Sequence, residues 1–160
     1  MESDGKIGQI SGEVAFLESV KSCVEKILER WEDIWAELNT VFERSQETSF
    51  MRPDEYAHLL YDEASFPRSR FYFWAIGCLS TFEDNIVTNL RTLQSFRQRF
   101  RDGPIFKDLQ GNKITSEKIG DQILKVDNRL QELSEKLQNV AERMGKRLAD
   151  VRALRDGVSA

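Results

Sequence analysis

Cysteine is scarce and scattered. Cys23 and Cys78 share no CxxC spacing and are too few for a disulfide scaffold, and no N-x-S/T acceptor is present. That pattern points to a reducing compartment and to two buried thiols, each one residue before an expected core position, a place that fits partial burial at a helix boundary. With only three prolines and nine glycines, the chain has few helix breakers and no low-complexity linker. A lone histidine, His58, leaves no Cys/His metal spacing and no Ser-His or Cys-His pair. No P-loop, GxGxxG or EF-hand loop occurs. The adjacent acids Asp54–Glu55, Asp62–Glu63 and Glu83–Asp84 fall on different helix faces or in turns, where solvation or a helix N-terminus accounts for them. We therefore expect no enzyme and no cofactor.

No segment approaches the ~18 apolar residues of a membrane span, and the N-terminus lacks the basic start and apolar stretch of a secretory signal. A soluble, cytoplasmic chain is the expectation. The net charge of −4 gives no general attraction to nucleic acid. "QSFRQRFR" (94–101) interleaves arginine and phenylalanine, yet a helical wheel sets Phe96 and Phe100 on the apolar stripe and spreads Arg97, Arg99 and Arg101 over the polar side. Their first explanation is the negative end of a helix dipole, and no nucleic-acid partner is expected.

What the chain does have is helical periodicity. At 160 residues with 40% hydrophobic content it suits a single domain, residues 1–160. A first helix is expected over about 12–48, starting near Ser11 and Gly12. Ile10, Leu17, Val24, Trp31 and Leu38 share one seven-residue register; Val20, Ile27, Ile34 and Val41 follow three places later. Val14, Leu28, Trp35 and Phe42 widen the stripe enough for two neighbours. Residues 49–66 break this pattern, with Pro53 and two acids favouring a short helix over about 53–60. Ser65 and Pro67 then announce a second long helix over about 67–101, its core formed by Tyr72, Leu79, Ile86, Leu93, Phe100, Ala75, Phe82 and Phe96, with Ile76 and Leu90 at the flank. Gly103 and Pro104 end it in a loop. The third helix, about 116–156, is the most regular: Ile119, Ile123, Val126, Leu130, Leu133, Leu137, Val140, Met144, Val151 and Leu154, with Arg147 where an apolar residue is due.

Three long amphipathic helices joined by modest turns predict an all-α fold, an elongated antiparallel up-down-up three-helix bundle of coiled-coil character. "FPRSRFYFWAIG" (66–77) would bury most of its circumference there, covered by the apolar residues of 49–66, with Arg68 and Arg70 pairing with the acids of that segment or stacking on an aromatic face. Arg68, Arg70, Tyr72, Trp74, Trp31, Trp35, Val151 and Leu154 are the candidate structural or interaction residues.

The stretch "EYAHLLYDEASFPRSRFYFWAIGCLSTFEDNIVTNL", with the closing "VRALRDGVSA", resembles fungal CorA-like proteins, relatives of magnesium and other divalent-cation transporters. The matching residues are Asp62, Glu63, Arg68, Arg70, Tyr72, Phe73, Trp74, Glu83, Asp84, Asn85 and Ile86. The resemblance covers about 40 residues and implies that the third helix is the lower part of a stalk leading towards two membrane-spanning helices. The sequence departs from the family in carrying neither those helices nor a Gly-Met-Asn pore motif, so these residues are expected not to conduct ions alone. A non-enzymatic helical interaction or oligomerisation domain follows, acting on a protein partner or a second copy of itself, membrane-associated if part of a longer protein. The alternatives are a divalent-cation-sensing module of a transporter and a free-standing coiled-coil scaffold.

Overall fold

The structure, a computed structural model, describes residues 2–50, 67–111 and 117–159. Four helices account for nearly all of them: α1 (Glu2–Phe50), α2 (Pro67–Asp102), α3 (Pro104–Gln110) and α4 (Glu117–Ser159). Among the described residues there is no strand, so the fold is all-α. The short helix expected over 53–60 lies outside the described residues, as does the cover expected from 49–66 apart from residues 49 and 50, which end α1.

Three local outcomes differ from the sequence reading. α1 does not start at Gly12 but continues back to Glu2. A glycine costs a helix interior about 1 kcal/mol relative to alanine, too little to stop a run that continues on both sides. The stretch after α2 is a helix, not a loop. Gly103 is extended at its N-cap and Pro104 occupies its first turn, where a fixed φ is an advantage and the missing N–H costs nothing. α3 then half-buries Ile105, Phe106 and Leu109; Phe106 meets Phe100 edge-on at 5.9 Å. Gly120 of α4 lets Leu109 come close, since a Cβ there would lie 2.7 Å from Leu109 Cδ1. Third, Cys23 is exposed, whereas Cys78 keeps the partial burial expected of it; a step of one residue turns a side chain about 100° away from the core position beside it.

The contacts divide into two compact units. Unit 1 comprises Met1–Arg30 with Thr88–Leu137, and unit 2 comprises Trp31–Val87 with Gln138–Ala160.

In unit 1 the core is built from Leu17, Val24 and Leu28 of α1, Leu90 and Leu93 of α2, and Ile123, Val126, Leu130, Leu133 and Leu137 of α4. Burying each such side chain contributes about 1.5–3 kcal/mol. Phe16 stacks edge-on with Phe96 at 6.0 Å. In unit 2 the core takes Leu38 and Phe42 of α1, Ala75, Leu79 and Ile86 of α2, and Val140, Ala141, Met144, Leu148 and Val151 of α4.

The buried pattern sharpens the sequence stripes. On α1 the buried set is Leu17, Val24, Leu28, Leu38 and Phe42, whereas Ile27 and Val41 of the second expected register are exposed. On α2 Leu90 is core rather than flank, and Phe96 and Phe100 are only half-buried. On α4 a third register is buried beside the two expected ones: Gly120, Asp127, Ser134, Ala141 and Leu148, spaced by seven. Small and polar members hid it from a search for large apolar residues.

Gly77 lies in the exposed interior of α2, and a Cβ added there would meet nothing within 4 Å. Gly77→Ala should therefore stabilise the protein by about 0.5–1 kcal/mol through helix propensity and reduced unfolded-state entropy. A rise in urea midpoint at unchanged m-value would show it, and an unchanged or lower midpoint would contradict the open environment of that position.

Candidate interaction surface

The head of α2 is not buried all round. At about 100° per residue, Ala75 and Leu79 point inward, Phe73 falls on the far side and Trp74 to one flank. Their exposures follow: Ala75 and Leu79 are 0% exposed, Trp74 is 48% and Phe73 63%. Deep burial of Trp74 is thus corrected, because one helix face cannot hide the four large residues Phe71, Tyr72, Phe73 and Trp74 in succession. Phe71 is the hub of this end. Its ring contacts Phe42 of α1 at 5.8 Å, Tyr72 at 6.0 Å and Trp74 at 5.9 Å. Tyr72 is half-buried and Arg70 exposed; the Arg68 side chain lies outside the described residues.

The remaining sequence-selected residues of unit 2 separate. Trp31 packs against Phe82 at 5.8 Å. Trp35 lies under two guanidiniums, with Arg143 Cζ 5.6 Å and Arg147 Cζ 6.0 Å from its ring centroid. Arg147 also lies 5.2 Å over Phe42 and donates from Nη2 to Asn39 Oδ1 at 2.6 Å. The gap that Arg147 leaves in the apolar stripe of α4 is therefore filled by aromatic rings of α1 receiving a cation. Val151 is buried in the core, whereas Leu154, one helical turn on, is 48% exposed.

Unit 1 holds a buried ion pair. Arg97, expected on the polar side of α2, is buried at 8% exposure. It occupies the seven-residue register of Leu90 and faces α4, where its Nε donates to Asp127 Oδ1 at 3.1 Å and its Nη1 to Gln131 Oε1. Arg101 Nη2 donates to Asp127 Oδ2 at 2.8 Å. Both oxygens of a buried carboxylate are thereby satisfied, as burial of an ion requires. The spacing Arg97–Arg101, four residues, was legible in the sequence; its partner on α4 was not.

α1 and α4 also border an open groove of about 770 Å³ lined by Glu18, Glu25, Lys125, Arg129 and Glu132 among others. Arg129 donates from Nη1 to Glu132 at 3.0 Å and from Nε to Glu25 at 3.2 Å. These two carboxylates, Glu132 foremost, raise its pKa above the ordinary arginine value, so it stays charged throughout the accessible pH range. Among the described residues no group of three or more His, Cys, Asp or Glu is arranged to hold a metal ion, and no helix is long and apolar enough to cross a membrane. Compared with known protein families, curated proteins and solved structures, the chain matches none.

Proposed function

We propose that the chain is a non-enzymatic helical interaction domain whose three long helices fold back as an up-down-up bundle and whose unit 2 associates with a partner helix or a second copy. The fold-back is supported by opposed residue order in the contacts of α1 with α2 in unit 2, Trp31 with Phe82 and Phe42 with Phe71. It is supported also by matched order between α1 and α4, Trp35 with Arg143 and Asn39 with Arg147. The observation that carries the interaction reading is the exposure of Phe73, Trp74 and Leu154 in a unit that buries Ala75, Leu79 and Val151 completely or nearly so. Exposed large aromatics on a helical surface suit recognition by a second amphipathic helix. Similarity to the cytoplasmic, stalk-proximal part of a CorA-like protein belongs to the same proposal and is supported by the motif residues from Asp62 to Ile86.

Size-exclusion chromatography with light scattering across a hundredfold concentration range tests self-association. We expect the mass to rise with concentration, and Phe73→Ser with Trp74→Ser to hold the protein at monomer mass without lowering its melting temperature. A wild-type chain that stays monomeric throughout, and that retains the same interaction profile with a partner after both substitutions, would remove this surface from consideration.

A further inference from the structure

Among the described residues several arginines make close ion pairs: Arg97 and Arg101 with Asp127, Arg129 with Glu25 and Glu132, Arg155 with Asp156. Arg143 and Arg147 do not. Four residues apart, they lie on one side of α4, and their guanidiniums share the ring of Trp35 at 5.6 and 6.0 Å. Among the described residues no carboxylate lies within ion-pair distance of either. Arg147 uses one nitrogen on the neutral amide oxygen of Asn39. Asn39 in turn donates its own Nδ2 to Glu43 Oε1 at 3.0 Å, so the amide stands between that acid and the arginine. Glu83 approaches α4 at Gly145, nearly half a turn round the helix from both arginines. Arg143 Nε is closed off from solvent without an acceptor.

Two like charges at this spacing repel, and the face of one indole offsets only part of that repulsion. Both side chains are half-buried, which strengthens any charge brought to their outer edges. The arrangement is cationic, planar and propped by aromatic rings, and no carboxylate of the described residues pairs with it. We propose that Arg143 and Arg147, stacked on Trp35, form a binding site for a phosphate dianion. Two guanidinium forks match the several oxygens and double charge of a phosphate group, whereas a single carboxylate would satisfy one fork and leave the other charge unopposed. The site goes beyond the interaction reading and does not depend on it, since Phe73, Trp74 and Leu154 take no part in it.

Inorganic phosphate titrated into the full chain by calorimetry, at constant ionic strength against chloride, provides the test. We expect saturable binding at one site. Arg143→Gln and Arg147→Gln should each weaken it by about tenfold or more, the loss of one charge-assisted contact, while Arg129→Gln leaves it unchanged. Asn39→Asp supplies a carboxylate beside Arg147 Nη2 and should weaken binding with both arginines in place. Circular-dichroism melts of every variant separate lost binding from lost folding. Absence of saturable binding, or binding that survives in the folded Arg143→Gln/Arg147→Gln double variant, would overturn the site. Acetate binding as tightly as phosphate would overturn the assignment to a dianion.

Discussion

Asp127→Ala is expected to destabilise the protein by about 3–5 kcal/mol, the typical consequence of removing one partner from a buried ion pair. Total stabilities of domains are about 5–15 kcal/mol, so the loss should lower the thermal midpoint by about 10 °C. The cause is the guanidinium left behind. The Arg97 side chain is 9% exposed and the Asp127 side chain 6%, and among the described residues Arg97 Nη2 already has no acceptor. Without Asp127 only Gln131 would face it. The double variant Arg97→Met/Asp127→Leu should recover most of the loss, because two apolar side chains of similar volume carry no desolvation cost. Arg101→Ala should cost less than about 1 kcal/mol, since the Arg101 side chain is 46% exposed and screened by water. Urea unfolding followed by circular dichroism would measure all three. An Asp127→Ala midpoint equal to wild type would mean that the two charges are not buried together.

Leu133→Ala is expected to cost about 2–5 kcal/mol, the transfer free energy of the lost methyl groups together with a cavity that rigid helices cannot close. Leu133 is 0% exposed in unit 1, and Met144, also 0% exposed, holds the equivalent inner position on α4 in unit 2. Met144→Ala should fall in the same range but towards its lower end, because neighbours of a flexible thioether tolerate a change of shape better. Leu124, 43% exposed on the same helix, serves as the comparison: Leu124→Ala should stay within about 0.5 kcal/mol of wild type. Equal losses at Leu124 and Leu133 would show that α4 does not present the face described above.

Residues with large apolar side chains at sustained seven-residue spacing were readable directly. Leu17, Val24 and Leu38 on α1, Leu79, Ile86 and Leu93 on α2, and Ile123 to Val151 on α4 are buried where periodicity puts them. Positions carrying small or charged residues were not readable in this way. Ser134, Ala141 and Gly120 give no hydropathy signal, and Arg97 reads as a surface residue until Asp127 is found facing it. Trp74 failed for the opposite reason: its hydrophobicity argued for burial, but its angular place on α2 leaves it half in water. The paired arginines on Trp35 were visible only as an interruption of the stripe at Arg147.

Sequence alone determined that this chain is helical, roughly where its long helices run and which stripe of each turns away from water. That information is local, because 3.6 residues per turn converts the spacing of apolar side chains into a face. Tertiary structure decided which charges meet. An ion pair between Arg97 and Asp127, or two guanidiniums over one indole, depends on the alignment of residues on helices far apart in the chain. No periodicity within a single helix specifies that alignment, and the free energy of a buried charge depends almost wholly on what lies opposite it.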